Sequence, residues 1–126
     1  MSLQVELKDK KDHQIIYAGQ AQYQMTSNGR IYTFGSRDHT FVWKVYEDTL
    51  LIDSISQAHV HLVLRKEKKT KGWIETEFGR IDLDCMTIAY RVENERIEVQ
   101  YELDMDSEKQ IFHFQLKIKG ADYAIH

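Results

Sequence analysis

Proline is absent from this chain, and cysteine occurs once, at Cys85. The first absence excludes polyproline and collagen-like structure and any native cis-prolyl bond. It leaves glycine, asparagine and aspartate to make the turns. The second excludes an internal disulfide framework, so a secreted, disulfide-stapled domain is ruled out and a reducing cytoplasm is the expected compartment. No apolar run approaches the roughly 20 residues of a membrane span. Charges at Glu6, Lys8, Asp9, Lys10, Lys11 and Asp12 occupy the place where a signal peptide needs an uninterrupted apolar stretch. Net charge of one sign is also small, −3 over 126 residues. The nucleophile elbow GxSxG, phosphate-binding glycine loops, a CxxC pair and the HExxH helix are all missing. Their absence lowers the prior for the common hydrolase, kinase and redox chemistries.

What is present is alternation. At 42% hydrophobic and 29% charged the composition is that of a globular domain, and the length is that of a single one, spanning 1–126. Ile97, Val99, Tyr101, Leu103 and Met105 alternate with Glu98, Gln100, Glu102 and Asp104, the period-two pattern of a strand with one wet face. Phe112, Phe114, Leu116 and Ile118 repeat it against His113, Gln115, Lys117 and Lys119, so Asp106-Ser107-Glu108-Lys109 reads as a hairpin turn. Similar segments are Leu3 to Leu7, Ile15 to Met25, Arg30 to Gly35, His39 to Glu47, Thr49 to Ile55, Gln57 to Arg65, Gly72 to Phe78 and Arg80 to Glu93. Asn28-Gly29 is the strongest hairpin signal, because both residues tolerate positive φ. Gly19 in mid-strand suggests a bulge. A phase flip, from Ile81, Leu83 and Cys85 to Met86, Ile88, Tyr90 and Val92, predicts another bulge near Cys85 and Met86. About ten short strands with brief links favour an antiparallel meander, and closure into an all-β barrel removes its exposed edges.

The order of Tyr17-Ala18-Gly19-Gln20, Tyr23, Asn28-Gly29-Arg30 and Ile31-Tyr32 is followed much later by Glu75-Thr76-Glu77-Phe78-Gly79-Arg80-Ile81-Asp82 and Val99-Gln100-Tyr101-Glu102-Leu103. Over nearly the whole chain this resembles the bacterial YwiB-like family of calycin-type β-barrels. The resemblance implies an up-and-down barrel shaped like lipocalins and fatty-acid-binding proteins, in a family without an assigned biochemical function. The chain departs from the family at Asp53-Ser54-Ile55-Ser56-Gln57, where members tend to carry a basic residue, a small residue and glycine.

Candidate chemistry is sparse. His59 and His61 share a strand face and could together ligate a metal, but the third ligand, for which His113 and His39 are the candidates, is not brought to them by the sequence, and the apolar Val60, Leu62 and Leu64 put the pair outside, so no metal and no cofactor are expected. Asp104, Asp106 and Glu108 begin like a calcium loop and then fail, with Lys109 at the glycine position and Gln115 at the twelfth. Glu75/Glu77 and Asp82/Asp84 fit the wet face of strands. Cys85, between Leu83 and Thr87, reads as an inert core thiol.

Two features remain. Arg65-Lys66-Glu67-Lys68-Lys69-Thr70-Lys71 carries five basic residues and one acid, a local +4 set against −7 elsewhere. With Trp73 as a stacking face, Arg65, Lys66, Lys68, Lys69 and Lys71 form a candidate partner-binding patch, although the acidic remainder disfavours nucleic acid. The other feature is a set of aromatics on inward faces: Tyr17, Tyr23, Phe41, Trp43, Tyr101, Phe112 and Phe114. A barrel of this size is either packed solid or wide enough for one small ligand, and both share this pattern. The leading expectation is a cytoplasmic barrel that holds a small, partly apolar ligand against Tyr17, Tyr23, Trp43 and Tyr101. The alternatives are a protein- or RNA-interaction module using the basic loop, and an enzyme with an acid–base site inside the barrel. No membrane partner is expected, and a homodimer is left open.

Overall fold

The computed structural model describes residues 2–105 and 108–119. Its elements are β1 (Ser2–Asp9), β2 (Gln14–Met25), β3 (Gly29–Gly35), β4 (Thr40–Tyr46), β5 (Thr49–Ile55), β6 (His59–Arg65), β7 (Lys69–Thr76), β8 (Gly79–Val92), β9 (Arg96–Met105) and β10 (Glu108–Ile118). Each strand pairs antiparallel with its sequence neighbours, and β1 pairs with β10 from Val5↔Ile118 to Asp9↔Phe114. The sheet is therefore a closed ten-stranded meander with no free edge. Among the described residues no helix is long and apolar enough to cross a membrane.

Residues paired across strands face the same side, so the ladder carries the inward phase around the ring. Trp43 stands between Tyr32 of β3 and Ile52 of β5, and Leu50 stands between Val45 of β4 and Leu64 of β6. These inward rows make one core, from Leu3, Val5 and Leu7 of β1 through to Leu116 and Ile118 of β10.

Three local features differ from the sequence expectation. The bulge in β2 lies at Ile16, where the β1 register slips between Leu7 and Lys8, while Gly19 stays paired with Val5. Gly19 serves the Tyr17 ring instead: a Cβ there would sit 2.8 Å from the Tyr17 hydroxyl. In β8 the flip falls between Thr87 and Ala89 rather than at Cys85 and Met86. Thr87 thus continues the inward row of Leu83 and Cys85, and Met86 and Ile88 face out. A buried threonine looks polar in sequence, which masks the continuing phase. At Asn28-Gly29 the chain turns as expected, with Thr26 N–H donating to the Gly29 carbonyl (2.9 Å), but neither residue has positive φ. The wider loop after the Met25↔Arg30 pair does not need it. Of the hairpin turn expected at 106–109, Asp106 and Ser107 lie outside the described residues, and Glu108 and Lys109 already belong to β10, opposite Met105 and Asp104.

The two ends of the barrel are unlike. At one, Leu50, Ile97, Val99 and Leu116 are fully buried, and Tyr90 donates to the Tyr46 (2.7 Å) and Thr49 (3.3 Å) carbonyls. The Arg30 guanidinium lies across that end, donating to the Tyr32 hydroxyl (3.0 Å) and the Glu93 carbonyl (3.2 Å). The other end, where β4, β6, β8 and β10 begin, is hollow.

Candidate functional site

The hollow end contains a cavity of about 700 Å³, within the range of small-molecule sites. Its size follows from what the inward rows carry there. Aromatic Phe41, Trp43, Tyr101, Phe112 and Phe114 form one part of the wall, and branched Ile52, Val60, Leu62 and Ile74 form another. Tyr101 stacks on Phe112 (5.5 Å between centroids) and lies 6.3 Å from Phe114. Phe112 also stacks on Phe114 (6.2 Å), so these rings form one aromatic cluster on one side of the cavity.

Polar groups enter where the inward phase runs on past the apolar positions. Asp9 follows Leu3, Val5 and Leu7 on the inward face of β1, and its Oδ1 accepts from the Lys11 (2.9 Å) and Asp12 (3.2 Å) backbone N–H groups. Ser54 follows Leu50 and Ile52 on β5 and is hydrogen-bonded to His39 Nε2 at 2.7 Å. The His39 ring is itself stacked on Phe41, 4.1 Å between centroids. Glu108 and Gln110 continue the Phe112 and Phe114 row to the mouth. Lys109, at the rim, is 3.8 Å from Glu102.

Two buried donors on the cavity wall stand out. Tyr101 is 4% exposed and Trp43 1%, yet the Tyr101 hydroxyl and the Trp43 indole N–H make no hydrogen bond among the described residues. Neither is sealed in protein, unlike Thr87 Oγ1, which is buried without a partner. Burial, with Cys85 and the Asp9 carboxylate adding to it, pushes the Tyr101 hydroxyl up, so it remains protonated and able to donate.

Of the four aromatics expected to share one pocket, the structure brings Trp43 and Tyr101 together on this wall. Tyr17 and Tyr23 face inward elsewhere. The Tyr17 hydroxyl donates to the Gln20 carbonyl (2.6 Å) with its ring beside Phe34, and Tyr23 packs on Tyr32 (5.2 Å). The β2 bulge separates them from the hollow end. His39, Ser54 and Asp9 were not foreseen. Their signal was legible, since each is a polar residue at an inward position of an otherwise apolar row.

The outer wall holds the remaining candidates. His59 Nε2 and His61 Nδ1 both bond Asp53 Oδ1, at 2.7 and 2.8 Å. Burial raises the Asp53 carboxyl, but the two imidazole hydrogen bonds outweigh it and hold it below its ordinary value. Among the described residues no group of three His, Cys, Asp or Glu side chains is placed to hold a metal ion. Trp73 lies between His61, stacked at 5.1 Å, and the Arg80 guanidinium, 4.2 Å above its ring. Lys71 is ion-paired with Asp84, and Lys66 is held at a bridge to Thr87. Arg65 ends β6, and Glu67 takes a positive φ of 60° in the turn that carries Lys68 to Lys69 at the start of β7. Trp73 is half-buried on the outer wall, flanked by His61 and Arg80, and shares a shallow groove with Lys71. The Cys85 thiol is buried and pushed up to about 11, which makes it a poor nucleophile.

Residues 1–118 match the family described as "Domain of unknown function (DUF1934)". The chain belongs to the DUF1934 family. Its fold is similar to that of the ywiB protein from Bacillus subtilis, with a TM-score of 0.66 at 14% identity over 95% of this chain and 89% of that one. The YwiB-like resemblance of the sequence is thereby supported, and at this identity the likeness concerns the fold alone. No curated protein matches the chain. For this DUF1934 barrel, the function must be argued from the cavity.

Proposed function

We propose that this DUF1934 barrel holds a small, partly apolar molecule in the cavity at its open end. The observation that carries the reading is the 700 Å³ hollow walled by Phe41, Trp43, Tyr101, Phe112 and Phe114 in a barrel that is otherwise tightly packed. A protein with no use for the space gains by filling it, because an unfilled apolar cavity costs stability in proportion to its volume. The calycin-type shape implied by the resemblance, and a reducing compartment in which Cys85 stays a thiol, accord with a cytoplasmic carrier or sensor. The interaction-module reading has less behind it, since Lys71 and Trp73 already have partners on the wall.

Nile red, whose emission brightens in apolar surroundings, tests the proposal. Wild type brightens the dye with a saturable curve, and Val60→Trp, which places an indole in the hollow, abolishes the signal. No saturable binding to wild type, or equal binding to the filled variant, refutes it.

One observation favours a second reading, acid–base chemistry inside the barrel: the His39–Ser54 hydrogen bond at the cavity wall. A histidine within reach of a serine hydroxyl is the minimal arrangement of base and nucleophile. Hydrolysis of a nitrophenyl ester that is lost in both Ser54→Ala and His39→Gln supports this reading. Turnover no faster than buffer removes it.

A further inference from the structure

The cavity is unlike a site for an anionic lipid. A pocket that takes a carboxylate or sulfonate into a dry interior needs a guanidinium, an ammonium or a cluster of N–H donors to replace the lost water. Here, among the described residues, no arginine or lysine projects from the inward rows of the wall. Arg30 faces inward at the opposite, closed end, where it holds the Glu93 carbonyl. Lys109 is at the rim, beside Glu102. The formal charges lining the mouth are the carboxylates of Asp9 and Glu108 and the single ammonium of Lys109, which is drawn toward Glu102, so the balance is acidic and repels an anion. The rings of the wall act in the same direction, because aromatic faces carry partial negative charge.

The buried donors complete the description. Tyr101 is more than nine-tenths buried and lines the cavity, and its hydroxyl has no partner among the described residues. A buried donor left unpaired is costly, so a ligand that presents an acceptor there recovers the penalty. The Trp43 indole N–H, a donor only, asks for the same complement.

Building on the ligand-binding reading above, we propose that the cavity selects a flat aromatic molecule that bears no negative charge and whose carbonyl or ring-nitrogen acceptor meets the Tyr101 hydroxyl. Phe112 and Phe114 belong to the aromatic wall against which the ring packs. Asp9 and Glu108 form an acidic collar that admits neutral and cationic molecules and rejects anionic ones.

Two naphthalene dyes of opposite character separate the outcomes. Prodan is neutral and carries a ketone, and its emission reports hydrogen bonding to that ketone; anilinonaphthalene sulfonate is an anion. Wild type is expected to bind prodan at least tenfold more tightly than the sulfonate, on the order of one carboxylate repulsion at the mouth. Asp9→Asn combined with Glu108→Gln narrows that gap. Tyr101→Phe, which keeps the ring and its packing, weakens prodan about tenfold, the usual effect of losing a buried hydrogen bond, and shifts its emission to the blue. Equal affinity of wild type for the two dyes overturns the charge selection, and an unchanged affinity and emission in Tyr101→Phe overturns the role of the hydroxyl. If wild type binds Nile red but neither naphthalene dye, the cavity reading stands and the ligand class proposed here is wrong. If it binds none of the three, the cavity reading falls with it.

Discussion

The two ends of this barrel are built on the same inward rows, yet one is packed and the other hollow. At the closed end branched aliphatic side chains pack tightly, with Leu50, Leu64, Ile97 and Val99 all at most 1% exposed, and Tyr32, Tyr90 and Arg30 complete the packing. At the open end the rows present a cluster of rings, a set of branched aliphatic side chains and, at the mouth, polar residues. Closure of the ring fixes the diameter, so the contents of the rows decide whether the interior fills. Both ends belong to one closed ring, so the difference lies in what the inward rows carry rather than in topology.

Truncating a core residue at each end offers the strongest test of that contrast. Leu50→Ala removes atoms that have protein on every side and is expected to cost about 3 kcal/mol in urea denaturation. Val60→Ala, on the cavity wall, already borders empty space on one side and should cost on the order of 1 kcal/mol. Equal losses at the two sites would mean that the open end is as densely packed in solution as the closed one.

The same substitution made at two tyrosines gives a finer test. The Tyr90 hydroxyl is buried and bonded to the Tyr46 and Thr49 carbonyls, so Tyr90→Phe should lower stability by about 1 kcal/mol. Tyr101→Phe removes a hydroxyl that has no partner among the described residues, and its stability should be unchanged or slightly higher. Thermal melts of the two variants, whose rings both stay in place, read this difference directly. A loss in Tyr101→Phe as large as that in Tyr90→Phe would show that the open end satisfies its hydroxyl within the protein.

The inward rows on which this contrast is built are legible in the sequence, whereas which end is packed and which hollow is not. Strict alternation in β9 and β10 identifies the inward rows, and short links identify the meander, because both rest on local geometry. The ring closure was an inference from edges, and the pairing of β1 with β10 answers it. What alternation could not say is where along the barrel each inward residue lies. Tyr17 and Trp43 carry the same inward signal, but the register shift at Ile16 and the fold of the Tyr17 ring over Gly19 place Tyr17 away from the cavity. Bulges are set by pairing between strands, so the sequence of one strand shows them poorly, as the misplaced flip in β8 also illustrates. The His59 and His61 pair was legible as outward-facing, but its common partner Asp53 lies on a neighbouring strand and emerges only from the β5–β6 register.

That partner supplies the smallest and most specific effect, on the wall of the hollow half. In the folded state Asp53 titrates below its ordinary value of 3.8, because the His59 and His61 hydrogen bonds outweigh its burial. A carboxyl depressed by folding contributes stability that is complete above its unfolded value and is lost as pH falls through the folded one. The wild-type melting temperature should therefore fall as the pH drops from about 5 toward 3, with Asp53 responsible for part of the slope. Glu98, held low in the same way by His113 against its own burial, supplies another part nearer the closed end. Asp53→Asn keeps an oxygen that can accept from one imidazole but no longer titrates. It should lie close to wild type at pH 3 and below it at neutral pH, so that its melting temperature changes less across the range. Glu98→Gln should flatten the profile from its own ordinary value of 4.5 downward. Parallel profiles for wild type and Asp53→Asn would show that the two histidines do not stabilise the Asp53 carboxylate, and the hollow half would then have to keep its shape by strand pairing alone.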